Sequence, residues 1–431
     1  MKLLLTVLAI CSIQTVSSTF CFWNTGCPYK YFSNKTPYNS VRGDIRDSVV
    51  KLTGCEPVSI WGLIRHGQRN PGTEFGKHMK EALVIKEHVE ASYNKGNCSL
   101  CAQDVENLLN WQVNMEMFDK PFQLTKEGYQ ESEGIGRRFK QAFPKLLEKL
   151  DQHDYLFRPA QGAWMADSAK GFVKGLGNKD LTIQPPKTNF DILSPYDTCK
   201  KYITDVKGNP ETYAPSVRYL SSSEYLASKD RIQRRLGINY ILTDTNITAL
   251  YDLCRYTTSG LENKLSPWCA LFTTQDLKVL EYIADLRHYY KSGYGTPINE
   301  LLGQITLTDL LKSFKDAKSG KGKKITSYVT HATMMDMVYT ALQLFKDDEP
   351  LSTSQRKADR KWRSSKLAVF SSNLMAVLNK CDKAVDDYNV VFYFNEEPLQ
   401  SICREGVCTW QEFEDKLSPF TETNTEFCHN E

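Results

Sequence analysis

A chain of 431 residues, 41% hydrophobic and 24% charged, has the composition of an ordinary globular protein and the length for a large core and two or more structural units. Its formal charge of +3 is too small to point to nucleic acid or a membrane surface as a partner.

The N-terminus, MKLLLTVLAICSIQTVSS, joins Lys2, a short apolar stretch and the small residues Val16-Ser17-Ser18. That pattern predicts a cleavable signal peptide over residues 1–18, and so a secreted protein or one held in the ER lumen. No later stretch is long and apolar enough to cross a bilayer, so no stable membrane insertion is expected. Thirteen cysteines less Cys11 of the leader leave an even set, which on this route implies disulfides. Asn34, Asn97 and Asn246 head N-x-S/T sequons, the acceptors of N-glycosylation. Cys98-Ser99-Leu100-Cys101 would suggest a redox pair or half a zinc site in a cytosolic protein. Behind a signal peptide, and without a second pair, it reads as a structural disulfide.

Val58–Ile64 is a near-continuous apolar run, suited to a strand buried on both faces. It stops at Arg65-His66-Gly67-Gln68-Arg69-Asn70-Pro71. Glu127–Lys140 has the spacing of an amphipathic helix, and residues 178–216, rich in Pro, Asn and Asp, read as loops. Asp276–Tyr290 is a second helix, with Leu277, Leu280, Ile283 and Ala284 on one face and Thr273 with Asp276 as a capping box. The glycine-containing basic tract Lys318–Lys324 reads as a solvated loop. Ile325–Thr330 and Val390–Phe394 are two further apolar strands. Strands toward both ends and helices between them predict an α/β core, residues 19–158 and 305–431, interrupted by an inserted, mainly helical lid over residues 159–304.

The strand end carries the chemistry. In open α/β sheets a ligand sits where strands end and helices begin, and a helix N-terminus favours anions there. Arg65 and Arg69 offer planar forks for phosphate oxygens. A neutral His66 can attack phosphorus and leave a phosphohistidine. Gly67 suggests close backbone approach to the ligand, and Pro71 sets the start of the next segment. A buried arginine pair satisfied by distant carboxylates is the purely structural reading of the same residues.

RHGQRNP after a strand resembles the histidine acid phosphatases, whose fold is a phosphoglycerate mutase-like α/β core. More narrowly, the chain is similar to the multiple inositol polyphosphate phosphatases, which dephosphorylate phytate-like substrates and 2,3-bisphosphoglycerate. Leu265–Cys269 (LSPWC), Lys278–Gly295, Phe345–Leu351 (FKDDEPL) and Arg360–Leu374 carry that narrower likeness. The resemblance implies that His66 takes the phosphoryl group while Arg65 and Arg69 hold its oxygens, with His331, after the second strand, as the other pocket histidine. It also implies disulfides Cys55–Cys381, Cys254–Cys269, Cys199–Cys428, Cys403–Cys408 and Cys21–Cys27, leaving Cys98–Cys101. No metal or cofactor is implied: there is no HExxH or paired-carboxylate signature, and a phosphohistidine route uses none.

The chain departs from the family twice. His331-Ala332-Thr333 stands where the family has His-Ala-Glu, whose glutamate protonates the leaving oxygen; a threonine hydroxyl is a poor acid near neutral pH. Asp336 is either a substitute donor or a helix-surface or capping carboxylate. Trp164 stands where the family has a third phosphate-binding arginine, and Arg158 lies six residues earlier. Trp164 either packs against the lid or lines an altered pocket, where a flat ring suits an aromatic or cationic ligand. The expectation is therefore a secreted phosphomonoesterase for inositol polyphosphates or similar esters with reduced turnover. The rival is an inactive protein of the same fold that binds a small ligand.

Overall fold

The run from Val58 extends into an eleven-residue strand, β1 (Cys55–Arg65), at the centre of a mixed sheet. The structure, a computed structural model, describes residues 28–177, 180–260, 264–382, 387–403 and 406–429. The expected signal peptide and the Cys21–Cys27 pair lie outside the described residues. The sheet order is β2 (Tyr155–Pro159), β3 (Ile325–Thr330), β1, β4 (Asn373–Cys381), β5 (Tyr388–Phe394) and β6 (Glu397–Pro398), with β7 (Val407–Thr409) also on β5. β2, β3 and β1 run parallel; β4 to β7 pair antiparallel.

Sequence periodicity located β1, β3 and β5 but not their neighbours. β2 reads YLFRP, and a charge and a proline in five residues argue against a strand. Arg158 is tolerated there because Asp191 meets its guanidinium at 2.7 Å, a partner supplied from 33 residues away. β4 has the continuous run LMAVL, which periodicity alone cannot separate from a buried helix.

Side chains alternate across β1: Ile60 and Ile64 join one apolar cluster, Trp61 and Leu63 the other. On the first face lie α1 (Lys126–Ala142) and α2 (Ala163–Gly175), which contribute Ile135, Phe139, Met165 and Phe172. They cross closely because a Cβ at Gly136 would lie 2.1 Å from the Phe172 carbonyl oxygen, and one at Gly175 2.0 Å from that of Glu133. On the other face, α3 (Asp244–Tyr256), α4 (Thr274–Ser292), α5 (Ile298–Lys318) and α6 (Ala332–Ala341) share one cluster with Trp61 and Leu63. The Thr273–Asp276 capping box at the start of α4 is formed in both directions.

Four of the expected disulfides are present among the described residues: Cys55–Cys381, Cys199–Cys428, Cys254–Cys269 and Cys403–Cys408. The first joins register partners of β1 and β4. The Cys98–Cys101 bridge is not formed. Cys98 is a free thiol with Sγ 3.4 Å from the Arg235 carbonyl oxygen, and Cys101, the N-cap of the helix Ala102–Asn110, is bonded to another cysteine. The two sulfurs are committed to different neighbours although only three residues separate them.

Candidate active site

Strand register assembles the site. Arg65 on β1 pairs with Thr330 on β3, so the next residues, His66 and His331, leave two adjacent parallel strands side by side. The His66 amide donates to the Thr330 carbonyl at 3.0 Å, and the two imidazole centroids lie 5.9 Å apart. β2 ends alongside, and Trp164 on α2 brings its ring to 6.4 Å from His66 and 6.0 Å from His331. Phe370, just before β4, packs 5.6 Å from His66 and lies 4.3 Å beneath the Arg65 guanidinium.

Two local expectations are corrected. Gly67 makes its close approach to α1 rather than to a ligand: a Cβ there would lie 2.3 Å from the Gly128 carbonyl oxygen, and its N–H already donates to Ser168 Oγ at 3.0 Å. The helix N-terminus at the site is that of α6, with His331 as its N-cap. The helix after β1 starts only at Thr73.

Arg65, His66, Arg69, His331 and Thr333 line one cavity of about 310 Å³. Lys35, Arg255, Arg287, His288 and Lys291 join them from other elements. Sequence reading singled out none of these five, because no local pattern links residues so far apart in the chain.

Imidazole and cations are held in states suited to an anion. Nδ1 of His66 lies 2.9 Å from the Gly67 carbonyl oxygen, so the proton sits on Nδ1 and the Nε2 lone pair is left to react. Burial, then Arg65 and Arg69, push the His66 pKa well below its ordinary value. Burial, then Arg69 and Arg65, lower that of His331 to about 3. Burial and then Arg255, Arg65 and Arg69 depress the Lys35 amine. Arg65 spends one nitrogen on the carbonyls of Asn34 (2.6 Å) and Ala368 (2.5 Å), while Arg69 stacks on Phe122 and Trp164. Among the described residues, Arg65 Nε, Arg69 Nε and Trp164 Nε1 are buried donors without an acceptor. Each such donor costs about 1–3 kcal/mol in the free protein, and an anion in the cavity would relieve that cost for Arg65 and Arg69, which line it.

The remaining predicted residues fall as follows. Trp164 is not among the residues that line this cavity: it stacks on Phe122 at 5.3 Å, with its ring 6.4 Å from His66, 6.0 Å from His331 and 5.6 Å from the Arg69 guanidinium. Arg158 stays in the sheet on Asp191 and does not reach the cavity. Asp336 is not a helix-surface or capping carboxylate: it is 1% exposed, and its Oδ2 accepts from His288 Nδ1 (2.6 Å) and Ser292 Oγ (2.8 Å). Asn34 is a wall of the cavity, its amide between His288 Nε2 (3.0 Å) and Lys35 Nζ (2.8 Å). A glycan on its Nδ2 would replace the contact with His288. Asn97 is exposed, and Asn246 completes the capping box of α3.

These shifts set a pH dependence. A histidine whose folded pKa is below its unfolded value of about 6.5 stabilises fully above that value and loses its contribution as pH falls toward the folded pKa. For His331 the loss therefore runs from about 6.5 to about 3. The ligand-free protein is expected to lose up to about 1.4 kcal/mol per pH unit from His331 across this window, and His66 adds a loss of the same sign. The check is calorimetric melting of wild type against His66→Gln/His331→Gln, with and without inorganic phosphate. The variant should show a shallower acid slope, and phosphate should flatten that of wild type. A wild-type melting curve indifferent to phosphate would contradict an anion site.

Residues 59–395 match the family model described as histidine phosphatase superfamily (branch 2). The chain is 29% identical over 409 residues to multiple inositol polyphosphate phosphatase 1 of Drosophila melanogaster, covering 92% of this chain and 86% of that protein. Of solved structures, the phytase from D. castellii aligns with a TM-score of 0.74 at 17% identity, over 94% of this chain and 88% of that one. The multiple inositol polyphosphate phosphatase of Bifidobacterium longum, in complex with inositol hexasulfate, aligns with a TM-score of 0.61 at 16% identity, over 93% and 100%. At these identities the two structures establish the fold alone.

Proposed function

The chain belongs to branch 2 of the histidine phosphatase superfamily, and from that premise we propose that it is a phosphomonoesterase that moves phosphoryl groups from inositol polyphosphates to His66 and then to water. The observation that carries this is the pair of unpaired buried donors, Arg65 Nε and Arg69 Nε, lining one cavity with a histidine held neutral. His66 Nε2 attacks phosphorus, the ester P–O bond breaks, and the leaving oxygen takes a proton. Water then cleaves the P–N bond and inorganic phosphate departs. Arg65, Arg69 and the N-terminus of α6 face the charge that builds on the phosphoryl oxygens. His331 is the second imidazole against that group.

The substrate class follows from the excess of positive charge. Lys35, Arg255, Arg287 and Lys291 line the cavity beyond the two motif arginines, and among the described residues only Arg255 of these has a close carboxylate, Asp252 at 2.7 Å. A ligand with several phosphates fits that balance, and the names of the fly and bacterial relatives point to the same class. Four disulfides and the N-terminal pattern support delivery to the secretory pathway.

One observation favours the rival reading. Trp164, its ring 6.4 Å from His66 and 6.0 Å from His331, fills the position of the family's third arginine without a charge, and Thr333 in the cavity lining cannot act as the acid. A protein that sequesters a phosphorylated ligand would tolerate both changes. Leaving-group chemistry separates the readings, because p-nitrophenolate departs with little protonation and an inositol alkoxide needs much. Purified protein is expected to form an acid-labile phosphoenzyme with p-nitrophenyl phosphate and release p-nitrophenol in repeated turnovers, with phytate turned over more slowly. Tight phytate binding by calorimetry with no phosphoenzyme from either ester would establish the binder.

A further inference from the structure

His288 on α4 and Asp336 on α6 form an imidazole–carboxylate dyad that no step above uses. His288 Nδ1 is 2.6 Å from Asp336 Oδ2, an oxygen that also accepts from Ser292 Oγ at 2.8 Å. The carboxylate is 1% exposed, so the ring is held by a rigid partner that fixes its tautomer and direction. His288 itself lines the cavity with His66, Arg65 and Thr333. Its Nε2 points to Asn34 Nδ2 at 3.0 Å, and the carbonyl of the same Asn34 takes Arg65 at 2.6 Å. One residue thus separates Nε2 from the guanidinium assigned to the phosphoryl group.

No carboxylic acid is among the described residues that line the cavity. Thr333 has no usable acid, and Asp336, nearly one turn further along α6, gives its carboxylate to His288 instead of to the cavity. Two other proton carriers at the site are out of range: the pKa of His331 is pushed down to about 3, and burial raises the Tyr256 phenol. An imidazole is the side chain whose ordinary titration lies nearest neutrality.

Resting on the phosphohistidine reading, we propose that His288, oriented by Asp336, is the general acid of this site. Nε2–H passes its proton to the ester oxygen as the P–O bond breaks and the His66 Nε2–P bond forms. The electron pair stays on that oxygen, which leaves as an alcohol. In the second half, neutral Nε2 takes a proton from the water whose oxygen attacks the phosphohistidine, and the imidazolium is restored as phosphate leaves. In the free protein Nε2 accepts from Asn34. Once protonated, it no longer accepts from Asn34, and its N–H is free for the leaving oxygen. Asp336 is a positioning residue, acting through the ring.

The test compares p-nitrophenyl phosphate with glycerol 2-phosphate in the full-length protein, as wild type, His288→Gln, Asp336→Asn, and His288→Gln with Thr333→Glu. His288→Gln is expected to slow the alkyl ester by about 10²-fold or more and the aryl ester by about tenfold or less. Asp336→Asn should show a smaller loss with the same split, which a merely structural role would not produce. Thr333→Glu, returning a carboxylic acid to α6, should restore alkyl-ester turnover to His288→Gln. Equal losses on both esters at an unchanged melting temperature, or no loss on the alkyl ester, would overturn the dyad while a wild-type phosphoenzyme leaves the parent reading standing. Absence of phosphoenzyme in wild type with p-nitrophenyl phosphate would remove both.

Discussion

Replacement of His66 by alanine is expected to abolish phosphoenzyme formation and to lower p-nitrophenyl phosphate turnover by on the order of 10⁴-fold or more, the scale seen when a covalent nucleophile is removed. His331 cannot take over. It leaves the neighbouring strand, about 4.8 Å across the sheet, whereas a reacting pair needs approach to about 3–3.5 Å in line. The rings, with centroids 5.9 Å apart and planes at 80°, do not address one phosphorus from the same direction. The fold should survive. The backbone bonds at position 66, from its amide to Thr330 and from Ser371 to its carbonyl, do not involve the side chain. Removing a buried, neutral imidazole leaves a cavity, so a modest fall in melting temperature is expected near neutral pH. Labelling quenched in alkali, where a phosphohistidine survives, and calorimetry on one preparation check both halves. A persistent phosphoenzyme would place the nucleophile on another residue.

Arg138→Met is expected to destabilise the protein by about 3–5 kcal/mol, the loss typical of removing one partner from a buried ion pair. Arg138 on α1 reaches Glu396, in the turn between β5 and β6, through Nε at 2.6 Å and a second nitrogen at 2.5 Å. The carboxylate is 0% exposed and takes one further bond, from the Tyr38 hydroxyl at 2.8 Å. Methionine keeps much of the volume and leaves that charge with the tyrosine alone. The pair matters beyond its own energy because Asn373, at the start of β4, donates to the Tyr38 hydroxyl at 2.6 Å, and Phe370 beneath Arg65 lies three residues earlier. Chemical denaturation should show the lower midpoint. Adding Glu396→Gln, which removes the stranded charge, should recover a substantial part. If the single and double variants lose equally, the cost lies in packing of α1 and not in the charge.

The parts of the fold legible in the sequence were those coded by neighbours in the chain. Apolar runs marked β1, β3 and β5 because a strand buried on both faces needs no alternation. The Thr273–Asp276 pair marked the start of α4 because a capping box closes within four residues. β2 escaped because Arg158 is acceptable only once Asp191 is beside it. The Cys98–Cys101 bridge was misread because closeness in sequence does not direct two sulfurs at each other.

The site divides in the same way. By itself the sequence determined the motif, since Arg65, His66 and Arg69 at a strand end are contiguous. It also placed Thr333 two residues after His331 and Trp164 eight before Phe172, because each is read against its own neighbours in the chain. Only the tertiary structure decided the rest. Parallel register of β1 and β3 set His66 against His331, and α3 and α4 added cations that no spacing predicts. The same packing turned Asp336 onto His288 and drew Asn34 into the wall. The physical reason is range. Periodicity, caps and turns act over a few residues, whereas burial, field and proton transfer depend on distances that only the packed chain defines.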